Sequence, residues 1–353
     1  MASPHFGRLP AFGLVFALLL STAPPSAQSV DAFDAIVQPF VAEGRFMGAA
    51  LVARADEVVF SKAYGSANLE WKVPNDPSTK FRIGSITKQF TAALILLLEE
   101  DGKLTIQDPL SRHVTETPES WKDITLFHLL THTSGIRNFT ALPDYRVRQV
   151  QPNSPADQLV RLRDEPLDFA PGSEFRYSNS GYLMLGLVIE RVTGRPYADV
   201  LRERIFTPLG MPASGHDSNS AIIPNRAAGY APGPNGPENA RFIHMTVPHA
   251  AGALYSTTGD LHRWVRGLFG GRLLSAVSLR KMTTPNRNNY ALGLTVRDAD
   301  GRQMIAHGGG INGFNAFLAY YPDTEITVAV LANINGNVPS QIAGALASAA
   351  HAR

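Results

Sequence analysis

Between Ala92 and Leu98 the chain carries no polar position at all. An amphipathic surface helix would interrupt such a run every three or four residues, so the pattern predicts a helix covered on every side. The run is too short to span a bilayer. Glu99, Glu100, Asp101 and Gly102 end it, the glycine being suited to the position just past a helix. A second strongly apolar helix is predicted over residues 182–192, ended by Gly194. Near the start, Val30, Phe33, Ile36, Val37, Phe40 and Val41 recur with helical spacing. Residues 47–53 and 58–64 then read as two strands joined by a tight turn at 54–57.

Past Asn289 the pattern returns to strands. Residues 292–297 and 303–306 flank a turn at Asp298-Ala299-Asp300-Gly301, and 314–321 and 326–333 flank Pro322-Asp323-Thr324. An alanine-rich helix over 339–352 closes the chain. Strands from the beginning and strands from the end, each block with a flanking helix, predict one antiparallel sheet. The helices and long loops between them predict an inserted lobe. The expected class is therefore α+β, with a sheet lobe from 28–84 and 290–353 and a helical lobe from 85–289. Residues 136–168 and 222–237 are the least regular, and long loops of this kind are candidate cleft walls.

The first residues stand apart. Arg8 precedes the apolar run 11–20, followed by Ser21-Thr22-Ala23 and Pro24-Pro25-Ser26-Ala27. A charged start, an apolar centre and small residues read as a secretory signal peptide over 1–27, cut between 23 and 29, rather than as a retained anchor. The expected location is therefore exported, periplasmic or secreted, with no stable membrane anchor after cleavage. Without cysteine the chain has no disulfide framework and no thiolate metal site. Losing Arg8 takes the formal net charge from +2 to +1. With no basic tract, that speaks against nucleic acid as a partner.

Three short islands look chemical. Ser85 and Lys88 lie three residues apart at the start of the first apolar helix, so their side chains share a face. Taken alone, the pair reads either as a capping serine with a solvated lysine or as a nucleophile with its base. A capping box wants Glu or Gln at the third position, and a cation there opposes the helix dipole. Desolvated, the lysine would lose its proton readily and could take one from Ser85. Tyr177-Ser178-Asn179 places a phenol and an amide two residues apart before the second apolar helix. By itself it is also an ordinary helix start. His307-Gly308-Gly309-Gly310 places a histidine at a strand end followed by glycines. These suit close backbone approach by a ligand, or a loose hairpin. A phosphate cradle is disfavoured because no helix start or lysine follows. His128 and His132 are four apart, but lack the Glu and third ligand of a zinc helix, so they read as structural and no metal site is expected. The Gly-x-Ser-x-Gly signature of α/β-hydrolases is absent.

Together, Ser85-x-x-Lys88, Tyr177-x-Asn179 and His307-x-Gly309 resemble, in order, the three motifs of the serine β-lactamase and penicillin-binding superfamily. The Tyr-x-Asn form is similar to class C β-lactamases, DD-carboxypeptidases and their esterase relatives. The resemblance covers essentially the whole mature chain. It implies a cofactor-free serine hydrolase acting through an acyl-enzyme on a small-molecule or peptide substrate. It further implies Ser85 as nucleophile, Lys88 and Tyr177 as the base system, and Asn179 as a partner of Lys88 and of the substrate amide. The backbone N–H groups of Ser85 and Gly310 would form the oxyanion hole. The third motif departs from the Lys-Thr-Gly of lactamases: His307 replaces a permanent cation with a group expected to titrate near 6.5. Anchoring of a substrate carboxylate should weaken. This ranks a peptidase or esterase above a β-lactamase proper, with a non-catalytic receptor for cell-wall fragments as the remaining alternative. The natural substrate and the oligomeric state stay open.

Overall fold

The computed structural model describes residues 1–5 and 27–352. The signal-peptide stretch lies largely outside the described residues. Helix α1 (Ala27–Ala42) leads into strands β1 (Gly48–Arg54) and β2 (Glu57–Tyr64). Helices α2 (Thr87–Glu100), α3 (Asn179–Thr193), α4 (His249–Gly252) and α5 (Thr258–Phe269) belong to the middle of the chain. Strands β3 (Thr295–Ala299), β4 (Arg302–Ile311), β5 (Phe314–Tyr321) and β6 (Ile326–Ala332) follow, and α6 (Val338–His351) ends it.

The main sheet is antiparallel, in the order β3-β4-β5-β6-β1-β2. It joins both ends of the chain because β1 pairs with β6, Gly48 opposite Ala332 and Arg54 opposite Ile326. Six strands take part, two from the start of the chain and four from its end, and the one expected over 292–297 is β3, shifted toward its turn. Alternation sorts the side chains. Val328, Val330 and Ala332 face α1 and α6, in the core that also holds Phe33, Val37, Ile342 and Leu346. Ala329 and Leu331 face the helices of the middle segment. A strand so placed has no polar face, which is why β6 reads as continuous apolar sequence.

Helix α2 lies in the centre, as its run of apolar positions requires. Every residue from Thr87 to Leu98 is buried. Its polar members find partners there: Trp264 Nε1 donates to Gln89 Oε1 at 2.8 Å, beside the stacked rings of Phe90 and Trp264.

Strand β4 differs from expectation in length. It continues through His307 and the glycines to Ile311, whereas β3 pairs with it only as far as Ala306. The edge from His307 onward is thus open to the segment before α2. Contact there is backbone to backbone. A Cβ on Gly309 would stand 1.9 Å from the Ile83 carbonyl oxygen, and one on Gly84 (φ +50) 2.7 Å from the Gly310 nitrogen. Gly309→Ala should therefore push the strand away and destabilise the fold by about 1–3 kcal/mol. Urea unfolding checks this, and an unchanged midpoint would contradict the close approach.

Candidate active site

Ser85 occupies a single 3-10 turn, Gly84–Ile86, immediately before α2, with no side-chain cap at its start. Lys88, on the first turn of α2, is fully buried. Its Nζ has three neighbours: Ser85 Oγ at 3.0 Å, Asn179 Oδ1 at 2.8 Å and the Ala251 carbonyl oxygen at 2.8 Å. The last two can only accept. A neutral amine has two N–H groups and one lone pair. It can donate to Asn179 and Ala251 and take the Ser85 O–H as its own donor. Burial favours that state, holding Lys88 well below the usual lysine range. The arrangement equips the amine to remove a proton from Ser85.

Each partner of Lys88 is held in turn. Asn138 Oδ1 accepts from both the backbone N–H of Asn179 (3.1 Å) and its Nδ2 (3.4 Å), which turns Asn179 Oδ1 toward the lysine. Thr140 Oγ1 also accepts from that Nδ2, at 3.5 Å. Ala251 lies on the short α4, whose preceding carbonyl, Ala250, accepts from Thr91 Oγ1 at 2.7 Å. Helices α2 and α4 are thereby locked through two carbonyls, one of them on Lys88.

Tyr177 lies just before α3, its ring centroid 4.9 Å from Lys88 Nζ. Its hydroxyl is buried and has no hydrogen-bond partner among the described residues, although Ser85 is the neighbour that favours its ionised form. Burial dominates and pushes the phenol above its ordinary range. An ionised Tyr177 would need nearby cations to lower its range, and Lys88, the cation over its ring, is itself driven toward neutrality.

His132 stacks near Tyr177, ring centroids 4.2 Å apart, and its Nδ1 accepts the Ser178 N–H at 3.2 Å. His128 Nδ1 takes the Thr125 N–H in a capping box. Both contacts serve the local fold.

His307 also departs from expectation. Its Nδ1 is 2.6 Å from the Gly308 carbonyl, which only accepts, so Nδ1 carries the proton. Nε2 is then left to accept from the Tyr290 hydroxyl at 3.0 Å. Burial, and after it Lys88, pushes the imidazole down to about 4 rather than 6.5. At neutral pH it is an uncharged ring with both nitrogens engaged. Beyond it, Gly309 packs against the turn carrying Ser85, its hypothetical Cβ 3.3 Å from the Ser85 nitrogen, and Gly310 lies against Gly84.

The three islands therefore meet: Ser85, Lys88, Tyr177, Asn179 and the His307–Gly310 strand border one site. Motif reading missed Asn138, Thr140, Tyr290 and Ala251. Asn138 and Thr140 fall in the 136–168 loop marked as a cleft wall. Tyr290 carries no local signal, and the Ala251 contribution is a backbone carbonyl that residue identity does not announce.

The antiparallel sheet with helices on both faces and this site between sheet and helices define a β-lactamase/transpeptidase-like fold. The beta-lactamase family model matches residues 33–353. The chain belongs to that family, whose members share a serine hydrolase fold. PbpX of Bacillus subtilis, a penicillin-binding protein by name, is 29% identical, over 90% of this chain and 78% of its own length. A penicillin-binding protein homologue from Pyrococcus abyssi, described as octameric, superposes with TM-score 0.80 at 28% identity, covering 92% of this chain and 78% of that one. A D-stereospecific amidohydrolase from Streptomyces gives TM-score 0.76 at 25% identity, covering 89% and 97%.

A depressed histidine ties stability to pH. The unfolded chain binds the His307 proton near 6.5 and the folded one near 4, so stability present at pH 7 is lost as pH falls through that window. From pH 7 to pH 5 this one group should cost on the order of 1–2 kcal/mol. His307→Gln should flatten the fall by about that amount in urea melts at the two pH values. An identical fall in both proteins would contradict a neutral buried imidazole.

Proposed function

We propose that the protein is an exported serine hydrolase that cleaves neutral esters or amides through an acyl-enzyme, and that Ser85, Lys88 and Tyr177 carry the chemistry. The observation that carries this reading is the buried Lys88 amine, bonded to Ser85 Oγ and to two groups that only accept. In the proposed sequence Lys88 Nζ takes the Ser85 proton as Oγ attacks the carbonyl carbon. The negative charge that develops on the carbonyl oxygen is received by the N–H groups of Ser85 and Gly310, each such donor lowering the barrier by roughly 3 kcal/mol. The leaving group departs with the proton, relayed from Lys88 through the Tyr177 hydroxyl, which takes one proton as it passes on its own. Water then attacks the acyl-serine, giving a proton back along the same route, and the acid leaves with Ser85 re-protonated. A neutral Tyr177 suits a relay that begins and ends protonated.

Substrate class follows from His307. With both nitrogens occupied and no charge, it offers a carboxylate neither a cation nor a free donor. That favours a neutral ester or amide, including an amide cleaved D-stereospecifically as the Streptomyces relative's name has it, over an anionic β-lactam. Export rests on the N-terminal pattern alone.

Ser85→Ala should abolish p-nitrophenyl ester turnover and fluorophosphonate labelling together; retained turnover would refute the nucleophile. Fast nitrocefin hydrolysis, outpacing ester hydrolysis, would instead favour the β-lactamase reading. His307→Lys should raise kcat/KM for a carboxylate-bearing substrate relative to its neutral ester, and equal ratios in both proteins would refute the role given to His307.

A further inference from the structure

Two chain segments lead from the site to a common junction. One is β4, which runs from His307 past Gly310, beside Ser85, to Ile311 and then Asn312. The other begins at Asn138 and Thr140, which hold Asn179, and continues through the helix Tyr145–Arg148 to Gln149, a buried residue. They meet at their far end. Asn312 Nδ2 donates to Gln149 Oε1 at 3.1 Å and to the Arg241 carbonyl at 3.0 Å. The backbone strengthens the same corner, with the His244 N–H donating to the Gln149 carbonyl at 2.7 Å and the Asn153 N–H to Thr246 Oγ1 at 2.9 Å. Between Gly310 and this junction stands Ile311, half-buried and packed against the buried side chains of Ile243, Met245 and Ala253.

The proposed proton relay fixes which part of a substrate points there. Tyr177 lies toward His307, ring centroids 6.2 Å apart, so the leaving group that receives the proton lies at that end of β4. The acyl group must then extend the other way, along Ile311 toward Asn312. We infer that the Gln149–Asn312 bridge closes the acyl side of the cleft and restricts the enzyme to short acyl groups. This rests on the acyl-enzyme reading above and adds to it the size of the group transferred to Ser85. A hydrophobic pocket discriminates by about tenfold or more for each methylene it cannot accommodate. A single bridging hydrogen bond can thus set a sharp cut-off in chain length.

The test compares kcat/KM for p-nitrophenyl acetate and octanoate in the full chain, in Gln149→Ala, in Asn312→Ala and in the double variant. Wild type should favour acetate, and each single variant should raise the octanoate value by about tenfold. Because both singles break one bond, the double variant should gain little beyond either. The two substitutions lie on different elements, so a folding defect in one leaves the other to decide. A wild type that prefers octanoate, or variants whose octanoate-to-acetate ratio stays put, would overturn the bridge while leaving the hydrolase reading intact. Independent gains that add in the double variant would also overturn it. No turnover of either ester and no labelling of Ser85 in wild type would overturn both.

Discussion

One buried amine organises this molecule. Lys88 sits at the base of a helix with no exposed face, and an ammonium there would cost several kcal/mol unless fully paired. The surroundings supply two acceptors and one hydroxyl, a set that a neutral amine satisfies by accepting the Ser85 O–H, and burial favours that state. To keep Lys88 in that state, α2 must be covered by α3, by α4 and by α5, and the side chain of Asn179 and the carbonyl of Ala251 must stay in register. On the proposed mechanism the same burial that stabilises the core also creates the base, so packing and chemistry cannot be varied independently here.

The second constraint is the approach of the sheet to the Ser85 turn. Glycines at 84 and 309 let two backbones touch where any side chain would intrude. The resulting contact sets the open edge of β4 against the backbone of Ser85, which is what an oxyanion site of backbone donors needs. Sequence pattern alone reads these glycines equally well as a loose hairpin. Only the strand's continuation past Ala306, with β3 ending there, shows why the edge is free.

How much was legible beforehand depended on what kind of group was involved. Ser85, Lys88, Tyr177 and Asn179 announce themselves because their spacings place unusual residue types at helix starts. The covered helix is visible because seven consecutive apolar positions leave no polar face. The ionisation state of His307 was not legible, since burial is a tertiary property: loss of water moves its imidazole down, as it moves the Tyr177 phenol up. Tyr290 and Asn138 act by holding other side chains across long stretches of chain, and no local pattern marks such a partner. The first of the end strands was expected too early in the chain, because the 292–297 stretch is only partly strand, pairing beginning at Thr295.

The central claim is that Lys88 is a neutral amine at working pH. Lysine side-chain NMR across a pH titration, with Lys88→Arg to assign the resonance, measures this directly. One lysine titrating well below the ordinary 10.4, and missing from the variant, is the expected result. A Lys88 signal that titrates with the surface lysines would contradict the base assigned to this site.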